Sequence, residues 1–312
     1  MEDDIWSGPR PHAGWSSLSR GVHVRADAME DLATRLSAWQ LALPFWSSFT
    51  GITAAQLRGW WLPPIPEAVP LFVASGRSAR ISRPGLRVCR HNSLPPWQLV
   101  RGVRVPGPAE TVLACARDLE LLDVVLIGDA ALHCGDVTRA ELVCVSRLRR
   151  RGAPLLRQAI ALMDARAESI FEGLLRILHV VCGIEVEPQR DIVADDGTFV
   201  ARADLLLRGT TTLHEFDGGH HRTPQQQAQD LQRHRRLVTA GYQRRGFTSH
   251  DVLLRPLGVL RDADATVGRD HDPGRIQAWY SLLRDSLFTA SGRRRLEERL
   301  GLGGETADET PE

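Results

Sequence analysis

The chain contains no lysine. All 39 of its basic residues are arginine, which removes every mechanism that turns on a lysine side chain, whether P-loop, Schiff base or general base. Long apolar runs are missing as well: the longest fall far short of the ~20 residues needed to cross a bilayer. The opening stretch MEDDIWSGPR lacks the charged-then-apolar build of a secretory signal. The five cysteines (Cys89, Cys115, Cys134, Cys144 and Cys182) are odd in number and scattered, with no C-x-x-C pair. Structural zinc and a disulfide framework are therefore not expected, and a cytoplasmic protein is. There is no G-x-S-x-G, no H-E-x-x-H and no Walker loop, and GLGGE near the C-terminus reads as tail.

What is present is the substance of an ordinary globular chain. Its 312 residues, 43% of them hydrophobic, suffice for one large or two ordinary domains. The net charge of +1 conceals an uneven distribution. Between Val200 and His250 there are eight arginines against four acids, and five of the eleven histidines. That local excess points toward a polyanionic partner, although solvated helix faces give the same count.

Seven of the eight tryptophans precede residue 100, in a segment that reads as a short strand at 21–24, a helix at about 29–43, a second helix from about 53, and strands at 69–75 and 86–90. Helices are expected near 109–118, 120–133, 138–150 and 154–164, with Pro108 at a helix start and Gly135 and Gly152 as breaks. From 166 the pattern changes. AESIFEGLLRILHVVCG is an amphipathic helix closed by Gly183. EVEPQRDIVA, FVARADLLL and TTLHEFDG read as three strands with turns at Asp196-Gly197 and Gly209-Thr210. A helix over about 224–240, the strand YQRRGF and a helix capped by Ser249 follow. A long helix over about 273–300 and a polar, disordered tail complete the chain. The order of elements after 166 makes an α/β sandwich around a mixed sheet. Three parts are thus expected: a mainly helical α+β region (1–165), the sandwich (166–262), and a terminal helix with its tail (263–312).

The stretch LHEFDGGHHRT (213–223) raises a specific question. A hairpin centred on Gly209-Thr210 pairs residues whose numbers sum to 419, which sets Asp204 opposite Glu215. Opposed like charges, with Cβ atoms ~4.5–5.5 Å apart, are destabilising. A Mg²⁺ or Mn²⁺ ion held by both carboxylates resolves the conflict; two solvated carboxylates on an open hairpin are the other reading. The same register sets Arg202 opposite Asp217 as a cross-strand ion pair.

ARADLLL, LHEFDGGHHRT and QDLQRHRRLVTAGYQRRGFTSHDVL together resemble the very short patch repair endonuclease-like family of uncharacterised proteins, in the PD-(D/E)XK nuclease superfamily. The likeness covers about 166–256. It implies a restriction-endonuclease-like fold and a Mg²⁺-dependent DNA endonuclease, with metal ligands at Asp204 and Glu215, a catalytic histidine at His221 and the superfamily's helix glutamate at Glu172 or, less well, Glu168. The superfamily's usual lysine, two residues after the glutamate, is Asp217 here. His220, Arg222, Arg233 and Arg236 are candidate DNA contacts; on a helix Arg233 and Arg236 share a face while Arg235 points elsewhere. Residues 40–165, with GITAAQLRGWWLPP and RPGLRVCRH, more loosely resemble the part of AbiEi-type abortive-infection antitoxins that follows their winged helix. That implies a toxin partner, and a non-catalytic DNA-binding or toxin-neutralising protein as the alternative function. Too few residues precede the first expected strand to form a complete winged helix.

Overall fold

A computed structural model describes residues 4–9, 13–194, 196–218 and 224–302, at 224–228 the backbone alone. The polar tail over 303–312 lies outside the described residues.

The chain begins with strands β1 (Ile5–Ser7), β2 (Trp15–Ser19) and β3 (Val22–Arg25), an antiparallel sheet in the order β1-β3-β2. Against it packs helix α1 (Leu32–Leu41), whose first turn is capped by Asp31 accepting from the Thr34 N–H at 2.8 Å. Next come β4 (Ser48–Phe49), α2 (Gly51–Leu57), β5 (Leu71–Gly76) and β6 (Leu86–His91), then the hairpin of β7 (Trp97–Val100) and β8 (Val103–Pro106). In the sheet β4-β5-β6 the last two strands are parallel, although only residues 77–85 join them. Parallel neighbours ordinarily need a dozen or more connecting residues. A nine-residue return over a six-residue strand has no slack for a helix, so this loop runs drawn out between the two strands.

Four helices follow: α3 (Pro108–Cys115), α4 (Leu121–His133), α5 (Arg139–Ser146) and α6 (Ala153–Leu162). They lie within a few residues of their expected positions, because Pro108 takes the first turn of α3 and Thr138 with Glu141 forms a capping box at α5.

Helix α7 (Ile170–Val181) leads into β9 (Val186–Val193), β10 (Phe199–Leu207) and β11 (Thr212–Phe216), then α8 (Pro224–Thr239) and β12 (Gln243–Phe247). The sheet order is β12-β11-β10-β9, with β11 and β12 parallel and the other pairs antiparallel. Helix α7 packs on one face of it and α8 on the other. The chain is mixed α/β, as its sequence implies. Helices α9 (Ser249–Leu254), α10 (Pro256–Thr266), α11 (Gln277–Asp285) and α12 (Ala290–Leu300) close the described chain. The cap of α9 is Thr248 rather than Ser249: its hydroxyl and the Asp251 carboxylate cap each other's backbone.

The long helix expected over 273–300 is broken between α11 and α12. The cause is distant in sequence. Asp123, fully buried in α4, accepts from the Ser286 hydroxyl at 2.5 Å and from the Leu287 N–H at 3.2 Å. Meeting those bonds requires Ser286 to leave the helix, and it does so with extended backbone. Burial pushes the Asp123 carboxyl up to about 7, against the bonds it accepts.

One hydrophobic core runs from Ile52 to Leu300 and draws on both sides of residue 165. Its centre is the contact of α4 with α7. At Gly173 a Cβ would come within 2.8 Å of Leu126 Cδ2, so a larger residue there would have to displace the end of the Leu126 side chain. Beside it a buried ion pair joins them, Arg176 Nη2 to Asp129 Oδ2 at 2.7 Å. Among the described residues no helix is long and apolar enough to cross a membrane.

Candidate functional site

The register counted from the Gly209-Thr210 turn is the one the hairpin adopts. Leu205 faces His214 and Leu206 faces Leu213, where the ladder ends; beyond it Asp204 Oδ2 accepts from the Phe216 N–H, beside Glu215. Period-2 alternation then sorts the side chains. His214 and Phe216 face α7, where Phe216 stacks on Phe171 at 4.7 Å and His214 meets His179. Glu215 faces α8.

Glu215 is only 2% exposed, and its charge is met by two guanidinium groups. Arg233, on α8, forks onto it with Nη1 at 2.8 Å and Nη2 at 2.6 Å, and Arg244, on β12, donates to Oε2 through Nε. Bidentate pairing of this kind is the strong form of the arginine–carboxylate contact. It also explains why Glu215 and Asp204 can lie side by side in the fold. Arg233, expected on a phosphate, donates here to Glu215 and to the Arg202 carbonyl at 2.7 Å. Arg236, also on α8, is exposed.

Asp204 has less help. Its Oδ2 accepts from the Phe216 N–H at 2.9 Å, and Arg233 draws its pKa down. Burial outweighs both, and repulsion from Glu172 and Glu215 adds to it, so the carboxyl is pushed up to about 7. Glu172 reaches this neighbourhood from the first turn of α7. It accepts from the Ser169 hydroxyl at 2.8 Å, the Glu168 N–H at 2.9 Å and the Gln189 side-chain amide at 2.8 Å. Glu168 lies farther out, 3.3 Å from Arg202. Of the two helix glutamates, Glu172 is therefore the one that shares a field with Asp204. Gln189 lies across β9 from Asp204 in the β9–β10 register and has a φ of 50°. Left-handed backbone is costly for a side-chain-bearing residue, and such strain concentrates at functional sites.

The ion pair expected between Arg202 and Asp217 does not form. Arg202 turns toward β9 and α7 instead, 3.0 Å from Asp191 and 3.3 Å from Glu168. The β9–β10 register sets Asp191 directly opposite Arg202, and a directly opposed partner wins over one beyond the end of β11. His220, His221 and Arg222 lie outside the described residues.

As a donor set, Asp204, Glu215 and Glu172 suit a hard divalent cation, which prefers carboxylate oxygens. A buried carboxyl repelled by two others is the charge imbalance such a cation relieves. Glu215 fits less simply, because both its oxygens already accept from arginine. Among the described residues no group of three or more histidine, cysteine, aspartate or glutamate side chains is arranged to hold a metal ion.

The α7 face of the same hairpin carries a second polar array that sequence reasoning missed. His179 Nδ1 lies 2.7 Å from the Leu175 carbonyl, which can only accept, so this nitrogen carries the proton. Burial, with His214 beside it, pushes the His179 pKa down to about 3, leaving its Nε2 bare to accept from His214 Nδ1 at 2.8 Å. His214 Nε2 lies 3.0 Å from Asp262 Oδ2, out of line for a hydrogen bond. The one signal in the sequence was the position of His214, inside an apolar strand and one residue before Glu215.

No family model, curated protein or solved structure matches this chain.

Proposed function

We propose that residues 166–262 form a restriction-endonuclease-like domain and that the protein is a Mg²⁺-dependent (or Mn²⁺-dependent) DNA endonuclease of the cytoplasm. The observation that carries this reading is the buried Asp204 carboxyl of β10, pushed up first by burial and then by repulsion from Glu172 of α7 and Glu215 of β11. Asp204 and Glu215 would hold the ion, which when bound polarises a phosphodiester and stabilises the charge of in-line attack. The protein's own groups do the rest. Arg233 and Arg244 hold the Glu215 carboxylate in place, and Arg236 offers an exposed guanidinium to phosphate on the same helix. A neutral imidazole suits the activation of water near pH 7, the role given to His221, with His220 and Arg222 as phosphate donors.

A second reading has an observation of its own. Two guanidinium groups already neutralise Glu215, and no lysine stands where the superfamily has one. Both fit a protein that keeps the fold to bind DNA or to neutralise a toxin without cutting.

The test is nicking of supercoiled plasmid with Mg²⁺ or Mn²⁺, against a chelator control. The wild type should nick only with metal, and Asp204→Ala should cut the rate at least about a hundredfold, the scale of losing one charge-stabilising group. Plasmid that stays supercoiled with every metal, yet is retarded in a gel, would decide for the binding reading.

A further inference from the structure

The sandwich is not where the chain's basic character is purest. Between Glu67 and Glu110 there is no acidic residue at all, while arginine stands at 77, 80, 83, 87, 90, 101 and 104. Three of these, Arg77, Arg80 and Arg83, lie on the drawn-out loop that joins the parallel strands β5 and β6. That loop forms one wall of an open cleft of about 970 Å³; the other walls are the β2–β3 turn with Arg20 and the end of α1 with the segment after it, which carries Trp46. The cleft is lined by Arg20, Arg80 and Arg83 and by no carboxylate. Among the described residues no acid lies within ion-pair distance of any arginine on the loop or of Arg20.

Guanidinium groups without counter-charges are joined by aromatic rings without cover. Trp46 is 44% exposed and Phe45 72%, their rings edge to face at 4.9 Å. A folded chain ordinarily buries such rings. Arg83 is held in place by the Ser19 hydroxyl at 2.6 Å, so the positive wall is partly pre-set. Unpaired positive charge beside an open aromatic face matches a flexible polyanion that carries flat, stackable groups. An acidic peptide would use the arginines but leave the rings without a partner. A duplex keeps its bases stacked on one another and offers none to Trp46.

We propose that this cleft binds single-stranded nucleic acid, with Arg20, Arg80 and Arg83 on the phosphates and Trp46 stacking on a base. The site stands on the N-terminal half alone and does not rest on the carboxylate cluster or on cleavage.

The experiment is anisotropy of a dye-labelled oligothymidylate of about 12 nucleotides with the full chain, across a salt series in chelator. Each phosphate contact to a single strand contributes about 0.7 to the slope of log affinity against log salt. The Arg20→Ala/Arg80→Ala protein should therefore show a slope smaller by about 1.4 and bind roughly 25-fold more weakly at 0.1 M salt. Trp46→Leu keeps the apolar bulk and removes the ring. It should lose about fivefold or more in affinity with the slope unchanged. Both variants replace exposed side chains, and unchanged melting curves confirm that they fold. The proposal fails if the wild type does not bind the oligonucleotide, or if neither variant differs from it. Displacement by polyglutamate as readily as by unlabelled oligothymidylate would assign the cleft to an acidic peptide and overturn it too.

Discussion

At pH 8 in chelator, the Asp204→Asn protein melts above the wild type; at about pH 3, below the ordinary carboxylate pKa, the two melt together. The direction follows from the raised Asp204 pKa. The carboxyl is pushed up to about 7 in the fold, against an ordinary value of 3.8. Folded protein therefore holds the proton more tightly than unfolded protein, and stability falls as pH rises from about 4 through 7. Below that window the carboxyl is neutral in both states and asparagine gains nothing. Above it, the wild type carries a charge that burial, Glu172 and Glu215 all oppose, and the variant does not. Relief of a strained functional position commonly yields about 0.5–2 kcal/mol, here ~2–5 °C for a chain of this size. The same measurement probes the ion. Added Mn²⁺ at a hundredfold excess over its Kd should stabilise the wild type by ~2.7 kcal/mol, and most of that gain should vanish in the variant. A wild type indifferent to metal, with a variant that melts lower at pH 8, would leave Asp204 as an ordinary strand residue.

The largest loss of stability is expected from Arg176→Met. Arg176 is 4% exposed, pairs with the fully buried Asp129 and also donates to the Leu162 carbonyl at 2.8 Å. Asp129 accepts in addition from the Asp164 N–H at 2.7 Å, yet burial still pushes it up to about 6. Methionine restores much of the volume and none of the charge. Breaking a buried pair by removing one partner costs about 3–5 kcal/mol, so the variant should melt ~6–15 °C lower. Its deficit should shrink toward pH 4, where Asp129 becomes neutral. The double variant Asp129→Leu/Arg176→Met should recover most of the loss, because no buried charge is then left alone. A single variant within 2 °C of the wild type would show that the pair holds nothing together.

How much of this could be read from the residues varies with the range of the interaction. The β10–β11 register was legible because a glycine-centred turn fixes the count and side chains alternate with period two. Strands β9, β10 and β12 were legible for the same local reasons. Strands β1, β2, β4, β7 and β8 were not; they are two to five residues long, and only their partners make them strands. The break near Ser286 depends on Asp123, 163 positions away. The candidate site divides in the same way. The pairing of Asp204 with Glu215 came from counting. The arginines on Glu215 come from α8 and β12, and no spacing rule brings Arg244 back to it. The acid-free stretch around Arg80 is legible in the residues, but no spacing rule brings Arg20 and Trp46 to the same cleft.

The shared core has a consequence for inheritance. Leu126 rests against Gly173, where a larger residue would have to displace the end of the Leu126 side chain, and Asp129 needs Arg176. A recombination event that joined residues from 166 onward to a different N-terminal half would present α7 with a foreign surface. It would also leave Arg176 or its new neighbour with a buried charge and no partner. The two halves are thus constrained to change together, and a substitution on α4 limits which ones α7 can accept next.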